Sequence, residues 1–378
     1  MAIASVRLLA VVLLKENTLR SRCVFCCRED GEVVTVAAKF TNHPSNFQFQ
    51  YGTGDFLCQI PVGCEPRYAG LLSGDGLDLT NFTFLPVLNQ DAPERSRLPL
   101  NFTLCMSIMF GDYNNVLQFV QAMELYRLLG IQRAIIYKTS CSAAMETVLQ
   151  YYTSKVGFLQ VLPWPIDSHL KPSSNWLPSL SPGDIHYYGQ IPAINDCVYR
   201  NMHRSRYVLL HDPDEVIMPT GNITFKTLMS DLEKAHGEKV NFYFSNNVFP
   251  YEEKEENSRY DLPEWEHLPG HSFLLHVLRE EDKSGYKSGK MVVDPRSVLQ
   301  MSVHKVKHFA KGRTETIGPE LGRLYHVRRR KNSNLKREDL VRDEGLLKVA
   351  QALVERVNHA LSHMGLLLNA TTRPNDPH

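Results

Sequence analysis

The chain has 378 residues and a formal net charge of +1 at pH 7; 43% of its residues are hydrophobic and 22% are charged. This length is enough for roughly two domains, and the composition excludes a disordered chain. The near-neutral charge gives no reason to expect nucleic acid or an anionic membrane surface as the main partner.

Residues 1–100 are predicted to be rich in β-structure, with strands at residues 6–14, 33–40 and 47–51 and a linker at residues 89–99. They contain no catalytic constellation. The apolar run at residues 1–14 is short for a membrane span, is interrupted by Arg7 and lacks the features of a signal peptide. No membrane anchor is therefore visible, which is interpreted as a late start codon or a partial chain.

Cysteines and glycosylation sequons favour an oxidising, glycosylating compartment. Five of the eight cysteines lie in the first 64 residues, and four Asn-x-Ser/Thr sequons begin at Asn81, Asn101, Asn222 and Asn369. A zinc site at Cys23 and Cys26 would need a second ligand pair, which the neighbouring sequence does not supply. Disulfide bonds are the favoured use, and the sequence does not define their pairing.

From residue 104, predicted strands alternate with predicted helices. Strands are expected at residues 104–110, 133–137, 158–162 and 207–210, and helices at residues 116–129, 142–152 and 190–203. Such alternation is typical of βαβ units with a parallel sheet. The predicted fold class is α/β, an open sheet with helices on both faces, preceded by the β-rich N-terminal region.

The segment after residue 219 is less regular. Strands are predicted at residues 239–244, 273–278, 290–295 and 298–304, an acidic loop at 250–270, and a long amphipathic helix at 338–366. The basic cluster at residues 328–331 is interpreted as a solvated face, with a phosphate-facing role as the alternative. The predicted domains are residues 1–100, 101–335 and 336–378.

An acidic motif directly follows the strand predicted at residues 207–210. Asp212 and Asp214 flank Pro213, which prevents the strand from continuing. The carboxyl ends of strands in open α/β sheets bind ligands, and two nearby carboxylates suit a hard cation beside a phosphate. A solvated turn is the alternative, but the place after the fourth strand favours a functional site. Glu215 is expected to point away on the other face and is interpreted as structural.

Other catalytic motifs are missing from the sequence. There is no serine elbow, His-Glu-x-x-His motif or dinucleotide-binding glycine pattern, and residues 285–290 are one residue short of a phosphate loop and precede Met291 instead of Ser or Thr. The reaction that remains compatible with the acidic motif is sugar transfer from a nucleotide sugar, in which a cation is shared between carboxylates and the nucleotide diphosphate. If the anomeric centre is inverted, a general base is also needed.

Several segments resemble glycosyltransferase family 92, formerly a domain of unknown function. They are residues 105–109, 124–130, 188–197, 210–216, 290–295, 304 and 324–326. The resemblance implies a GT-A fold and inverting transfer of galactose from UDP-galactose, in β1,4 linkage, to galactose or fucose on N-glycans. It also implies type II anchoring in the Golgi. Pro213 and Val327 depart from the family pattern without removing a ligand.

The resemblance also implies a metal site. Asp214 would hold Mn²⁺ or another divalent cation, and Asp212 would contact the metal or the ribose. His304 or His326 would supply a further ligand, although a buried, hydrogen-bonded histidine is the alternative for both.

Two further groups of residues are assigned to the donor by this resemblance. Phe110, Gly111 and Asp112 would border the uridine. Gln190 and Asn195 would lie near the site on a helix, with the satisfaction of backbone groups as the alternative.

For the general base, Glu264 is favoured, with Asp261 and Glu266 as rivals. An acidic surface loop explains all three carboxylates equally well.

The favoured function is thus a metal-dependent galactosyltransferase that uses a nucleotide-sugar donor and a glycan acceptor on glycoproteins. The alternative is a catalytically inactive glycan-binding or scaffold protein that keeps the fold. A metal-dependent nuclease or phosphatase would need more carboxylates at strand ends. Neither a nucleic-acid partner nor a membrane contact other than an anchor is expected.

Overall fold

The computed structural model describes residues 4–15, 20–27, 33–74, 76, 79–80, 82–221, 224–282, 288–330 and 334–367. Several predicted features fall wholly or partly outside these ranges. They are the sequons at Asn81, Asn222 and Asn369, residues 285–287 of the rejected phosphate loop, Lys331 of the basic cluster and the chain from residue 368 onwards. Asn101 is described and is exposed.

The N-terminal region forms a six-stranded antiparallel sheet with the strand order β1-β4-β3-β2-β5-β6. Its strands are β1 (Ser5–Leu13), β2 (Ser21–Cys26), β3 (Val33–Asn42), β4 (Tyr51–Gln59), β5 (Tyr68–Ser73) and β6 (Leu85–Pro86). The strands predicted at 6–14 and 33–40 are confirmed. The strand predicted at 47–51 is wrong, because Phe47 and Gln48 have φ values of 50° and 70°, which do not fit a β ladder.

Three disulfide bonds support the prediction of an oxidising environment. Two lie in the N-terminal sheet and the third joins the first strand of the following sheet to a helix: Cys23–Cys58, Cys27–Cys64 and Cys105–Cys197. Cross-links of this kind restrict the unfolded chain, and in a sheet with a small core they add stability that burial alone does not supply.

The remaining strands are, in chain order, β7 (Leu100–Met109), β8 (Arg133–Lys138), β9 (Leu159–Pro163), β10 (Ser205–His211), β11 (Glu215–Pro219), β12 (Val240–Pro250), β13 (Leu278–Arg279), β14 (Gly289–Val293), β15 (Val298–Met301), β16 (Val306–Phe309), β17 (Arg313–Ile317), β18 (Gly322–Arg328) and β19 (Val341–Arg342). Nine of them form one mixed sheet in the order β11-β18-β12-β14-β10-β7-β8-β9, with β17 paired to β12.

Four strands form the parallel half of this sheet. β10, β7, β8 and β9 are neighbours and all run parallel, as the alternating pattern predicted. On the other side of β10, however, β14 runs antiparallel and separates β10 from β12. The sheet is therefore mixed: the predicted parallel pairing is confirmed for the first four strands and recurs between β12 and its neighbours β17 and β18, whereas β14 and β11 pair antiparallel.

Helices cover both faces of the mixed sheet. They are α1 (Val116–Leu128), α2 (Ala143–Gln150), α3 (Gln190–Arg200), α4 (Phe225–His236) and α5 (Ala350–His363). Leu104 and Leu209 pack into a core with α1, α2, α4 and α5. Cys105 and Leu210, their sequence neighbours, pack into a second core with α3 on the opposite face, because side chains alternate along a strand.

The mixed sheet is curved, and this curvature brings the residues of the site together. β10 and β11 are four strand positions apart in the sheet, which would separate them by about 19 Å if the sheet were flat. The link from His211 to Glu215 can reach about 14 Å at most. The sheet must therefore bend back on itself, which brings β18 and β14 around the residues between β10 and β11.

Two predicted elements after residue 250 are corrected. The segment predicted as a strand at 273–278 forms a 3-10 turn, Phe273–Leu275, because a short buried apolar run does not distinguish a strand from a turn. The helix predicted at 338–366 begins only at Ala350. The chain before it is fixed by Asp343, whose carboxylate accepts hydrogen bonds from Tyr325, Arg279 and the Gly345 N–H.

In the described part of the chain, every helix is too short or too polar to cross a membrane.

Candidate active site

Asp212 lies at the carboxyl end of β10 and is paired with Lys290 of β14. The Lys290 Nζ donates a hydrogen bond to Asp212 Oδ2 at 2.6 Å and lies 3.2 Å from Glu215 Oε2. Burial would raise the pKa of Asp212, but Lys290 outweighs it, with smaller contributions from His326 and His304, so this pKa lies below its usual value. Asp212 is therefore ionised at neutral pH.

Lys290 is itself buried. Burial alone would lower its pKa, but Asp212 and Glu215 outweigh burial and raise it. The ammonium group thus stays charged inside the protein, where it neutralises two carboxylates at once.

Asp214 is paired with His326 of β18. The His326 Nε2 lies 3.1 Å from Asp214 Oδ2, and its Nδ1 lies 3.1 Å from Glu215 Oε1. Strand pairing sets this contact, because Glu215 faces His326 in the β11–β18 register. Burial lowers the pKa of His326, but Asp214 and Glu215 outweigh burial and raise it.

Glu215 connects the two pairs. It is 2% exposed, and its carboxylate touches both Lys290 and His326 while accepting a hydrogen bond from the Asp212 N–H at 3.1 Å. Burial raises its pKa despite these cations. The prediction that Glu215 points away on the other face is therefore wrong, because the β11–β18 pairing turns it toward His326. Its carboxylate contacts the groups that hold the two aspartates.

The two donor atoms at Asp214 and His326 suit a divalent cation in part. Adjacent ligands of an octahedral cation at roughly 2.1 Å are about 3 Å apart, and Asp214 Oδ2 and His326 Nε2 are 3.1 Å apart. One carboxylate oxygen of Asp212 instead accepts a hydrogen bond from Lys290. Within the ranges described above, no three His, Cys, Asp or Glu side chains form a complete metal site.

His304, the other predicted ligand, contacts the backbone next to Lys290, the partner of Asp212. Its Nδ1 lies 2.8 Å from the Gly289 carbonyl oxygen, one residue before Lys290. Its charge reaches both Asp212 and the buried His186, whose pKa falls to about 3 through burial and then through His304.

The residues predicted to border the uridine lie at the end of β7. Since β7 and β10 are parallel neighbours, Phe110 and Asp212 emerge at the same sheet edge. Phe110 stacks on Tyr188, with ring centroids 4.1 Å apart. Gly111 and Asp112 turn away with φ values of 65° and 54° and are exposed.

A strained turn borders the same edge. Tyr187, Tyr188 and Gly189 are consecutive residues with φ values of 36°, 52° and 77°, a conformation that costs free energy for residues other than glycine. The pKa of Tyr187 is raised first by burial and then by Asp212, which places this side chain near the motif. Strain of this kind is common at binding sites.

The N-terminal sheet supports this turn. Phe47 stacks on His186 with ring centroids 4.2 Å apart, and Phe49 meets the same ring edge-on. The Tyr51 N–H donates to the Asp184 carbonyl oxygen at 3.1 Å. The N-terminal region, which has no catalytic constellation of its own, therefore contacts the site through this turn.

Gln190 and Asn195 both lie on α3 but have different hydrogen-bond partners. Gln190 donates to the Ser107 hydroxyl of β7 at 2.7 Å. Asn195 is fully buried, and its amide donates to the carbonyl oxygens of Ile191 and Met301 and accepts from the Met301 N–H. Asn195 thus satisfies backbone groups, the alternative role considered from the sequence.

The candidate bases lie in the loop that follows β12. Glu264 accepts a weak hydrogen bond from Asn358 of α5 at 3.4 Å, Asp261 forms an ion pair with Lys254 at 2.8 Å, and Glu266 is exposed. Glu264 therefore contacts α5, and Asp261 contacts its own loop. The assignment of a base among them stays a prediction.

Two site residues escaped sequence reasoning. Lys290 appeared in a predicted strand, at the end of the rejected phosphate loop and in a segment that resembles the family, but not as a site residue, although a lysine within an apolar strand was a usable signal. Tyr113 lies in the turn after β7, and its buried hydroxyl has no hydrogen-bond partner. Its pKa is raised by burial and then by Asp214 and Asp212, so the hydroxyl lies beside the motif and stays protonated.

Comparisons with known proteins show what this chain resembles. The sequence model of glycosyltransferase family 92 matches residues 101–360, from β7 into α5. A β-1,4-galactosyltransferase of Caenorhabditis elegans, galt-1, is 22% identical over 278 residues. That alignment covers 68% of this chain and 59% of the relative, so the chain spans less than two thirds of the relative's length.

Proposed function

The chain belongs to glycosyltransferase family 92, and from that premise we propose that it is a metal-dependent glycosyltransferase with a GT-A fold. It transfers galactose from UDP-galactose to a galactose or fucose hydroxyl on N-glycans, with inversion and in β1,4 linkage. The observation that carries the proposal is the Asp212-Pro213-Asp214 turn, held at the carboxyl end of β10 by Lys290 and His326. The choice of galactose rests on the name of the nematode relative.

Each part of the site has a role in this reaction. A Mn²⁺ ion held by Asp214 and His326 would neutralise charge on the diphosphate leaving group. Lys290 keeps Asp212 ionised and fixed, and the stacked rings of Phe110 and Tyr188 offer an apolar wall for the nucleoside. The acceptor oxygen bonds to the anomeric carbon, the bond from that carbon to the diphosphate breaks, and a carboxylate takes the hydroxyl proton.

The direct test is transfer to an N-glycan acceptor by the full chain. Protein treated with EDTA is assayed with UDP-galactose and with UDP-N-acetylglucosamine, each with and without added Mn²⁺. We expect transfer of galactose only with the metal. Transfer that is unaffected by EDTA would contradict metal dependence, and preference for the other donor would overturn the sugar assignment.

One observation favours the second candidate, an inactive glycan-binding protein. Lys290 already neutralises Asp212, so one of the two aspartates has a partner without any cation. This function predicts binding of glycans without metal and neither transfer nor hydrolysis of UDP-galactose in the same assay. The proposed secretory location, in the Golgi lumen, is shared by both candidates.

Glu264→Gln is expected to lower kcat about 100-fold while the KM for UDP-galactose stays within about threefold, because a general base acts on the acceptor proton and not on donor binding. Steady-state kinetics with varied donor provide the measurement. Glu256→Gln, in the same loop, exposed and not a candidate base, is the matched control. Equal kcat for the two variants would remove Glu264 as the base.

A further inference from the structure

The arginines of the basic cluster at the end of β18 differ in whether they have an acidic partner. Arg330 forms an ion pair with Glu253, and the Arg329 Nε lies 3.7 Å from Glu252. Both glutamates follow β12, the strand beside β18. Arg328 differs from these neighbours, because its Nε is buried and has no hydrogen-bond partner.

Arg328 lies on the face of β18 that carries His326, the partner of Asp214. It comes two residues after His326 on the same strand, so the two side chains emerge on the same face. Burial and then Asp212 raise the pKa of Tyr187, whereas Arg328 lowers it, which agrees with a guanidinium near the turn that borders the motif.

Lys290, by contrast, is already committed to protein carboxylates. The ammonium group of Lys290 is enclosed and is shared between Asp212 and Glu215. A guanidinium carries five N–H donors in a planar fork, which matches the oxygens of a phosphate group. A half-buried arginine with an unsatisfied donor beside a carboxylate pair is therefore suited to an anionic ligand that approaches the same carboxylates.

Building on the proposed function, we propose that Arg328 binds the diphosphate of the nucleotide-sugar donor and that a nucleoside diphosphate is the ligand recognised there. The cation at Asp214 and His326 would hold the diphosphate, and Arg328, two residues after His326 on the same face of β18, would contact the same diphosphate beside it. The alternative phosphate-facing role considered for the basic cluster is thus assigned to a single arginine.

The experiment measures the affinities of UDP and uridine, in the presence of Mn²⁺, for the full chain and its variants. Calorimetry is used for UDP, and uridine is titrated to millimolar concentration. Arg328→Gln is expected to weaken UDP binding about 10- to 100-fold, the range for loss of a charge-assisted bidentate contact, and to leave uridine binding unchanged. Arg328→Lys should recover part of the loss, because it keeps the charge but not the fork.

Arg329→Gln is the matched control, since its side chain is 79% exposed, and it should bind UDP like the wild type. Equal UDP affinity of Arg328→Gln and wild type would overturn this inference alone. An equal loss for UDP and uridine would also overturn it, because it would indicate a structural role. No UDP binding by the wild type would overturn the proposed function as well. If Arg328→Gln does not fold, Arg328→Lys supplies the comparison.

Discussion

Asp214→Asn is expected to lower kcat/KM for sugar transfer by about 10³-fold, with little change in the fold. The substitution keeps the size of the side chain but removes the charge that would hold the cation beside the leaving group, and single electrostatic groups of this kind contribute about 10²- to 10³-fold. The measurement is steady-state transfer from UDP-galactose across a Mn²⁺ titration. The Mn²⁺ concentration needed for half-maximal activity should rise as well.

Asp231→Asn on α4 controls for the loss of one carboxylate. Asp231 forms an exposed ion pair with Lys234 at 3.2 Å, far from the motif in sequence, and exposed pairs contribute little. Its activity should equal that of the wild type. Wild-type activity of Asp214→Asn would remove Asp214 from the site, and a large loss in both variants would show that the effect is not specific to the motif.

Lys290→Met is expected to lower the free energy of unfolding by about 3–5 kcal/mol, because it leaves Asp212 without its cation and leaves Glu215 with His326 alone. Removing one member of a buried ion pair strands the other in a medium that solvates it poorly. Lys290 is 3% exposed and Glu215 is 2% exposed, so water cannot replace the ammonium group. Urea unfolding followed by circular dichroism gives the value.

Two variants make this result specific. Lys234→Met removes an exposed lysine that pairs only with Asp231 at the surface, and its unfolding free energy should change by less than about 1 kcal/mol. Adding Glu215→Gln to Lys290→Met should recover part of the lost stability, since it removes one stranded charge. A loss no larger than that of Lys234→Met would contradict the buried ion network.

The elements that sequence reasoning predicted best are those defined by local patterns. The strands near residues 104, 133, 158 and 207 and the helices between them follow from periodicity and turn residues, which act over a few positions. The place of Asp212 and Asp214 at a strand end follows from the same evidence. The wrong strand at 47–51 and the late start of α5 arise where left-handed backbone or a distant anchor such as Asp343 overrides the local pattern.

The residues that contact the two aspartates were harder to predict from the sequence. His326 was named through family resemblance, and Lys290 was not recognised as a site residue, because they lie 112 and 78 positions along the chain from the carboxylates they contact. Nothing in local composition relates such distant residues. The link from Phe47 to His186 is of the same kind.

The sequence by itself determined the order of strands and helices, the acidic turn that ends β10 and the use of cysteines in disulfides, because each depends on neighbouring residues or on composition. Only the tertiary structure decided which cations meet the two aspartates. The reason is the curl of the mixed sheet: a link of three residues between β10 and β11 forces β18 and β14 around the turn. That curvature places His326 on Asp214 and Lys290 on Asp212.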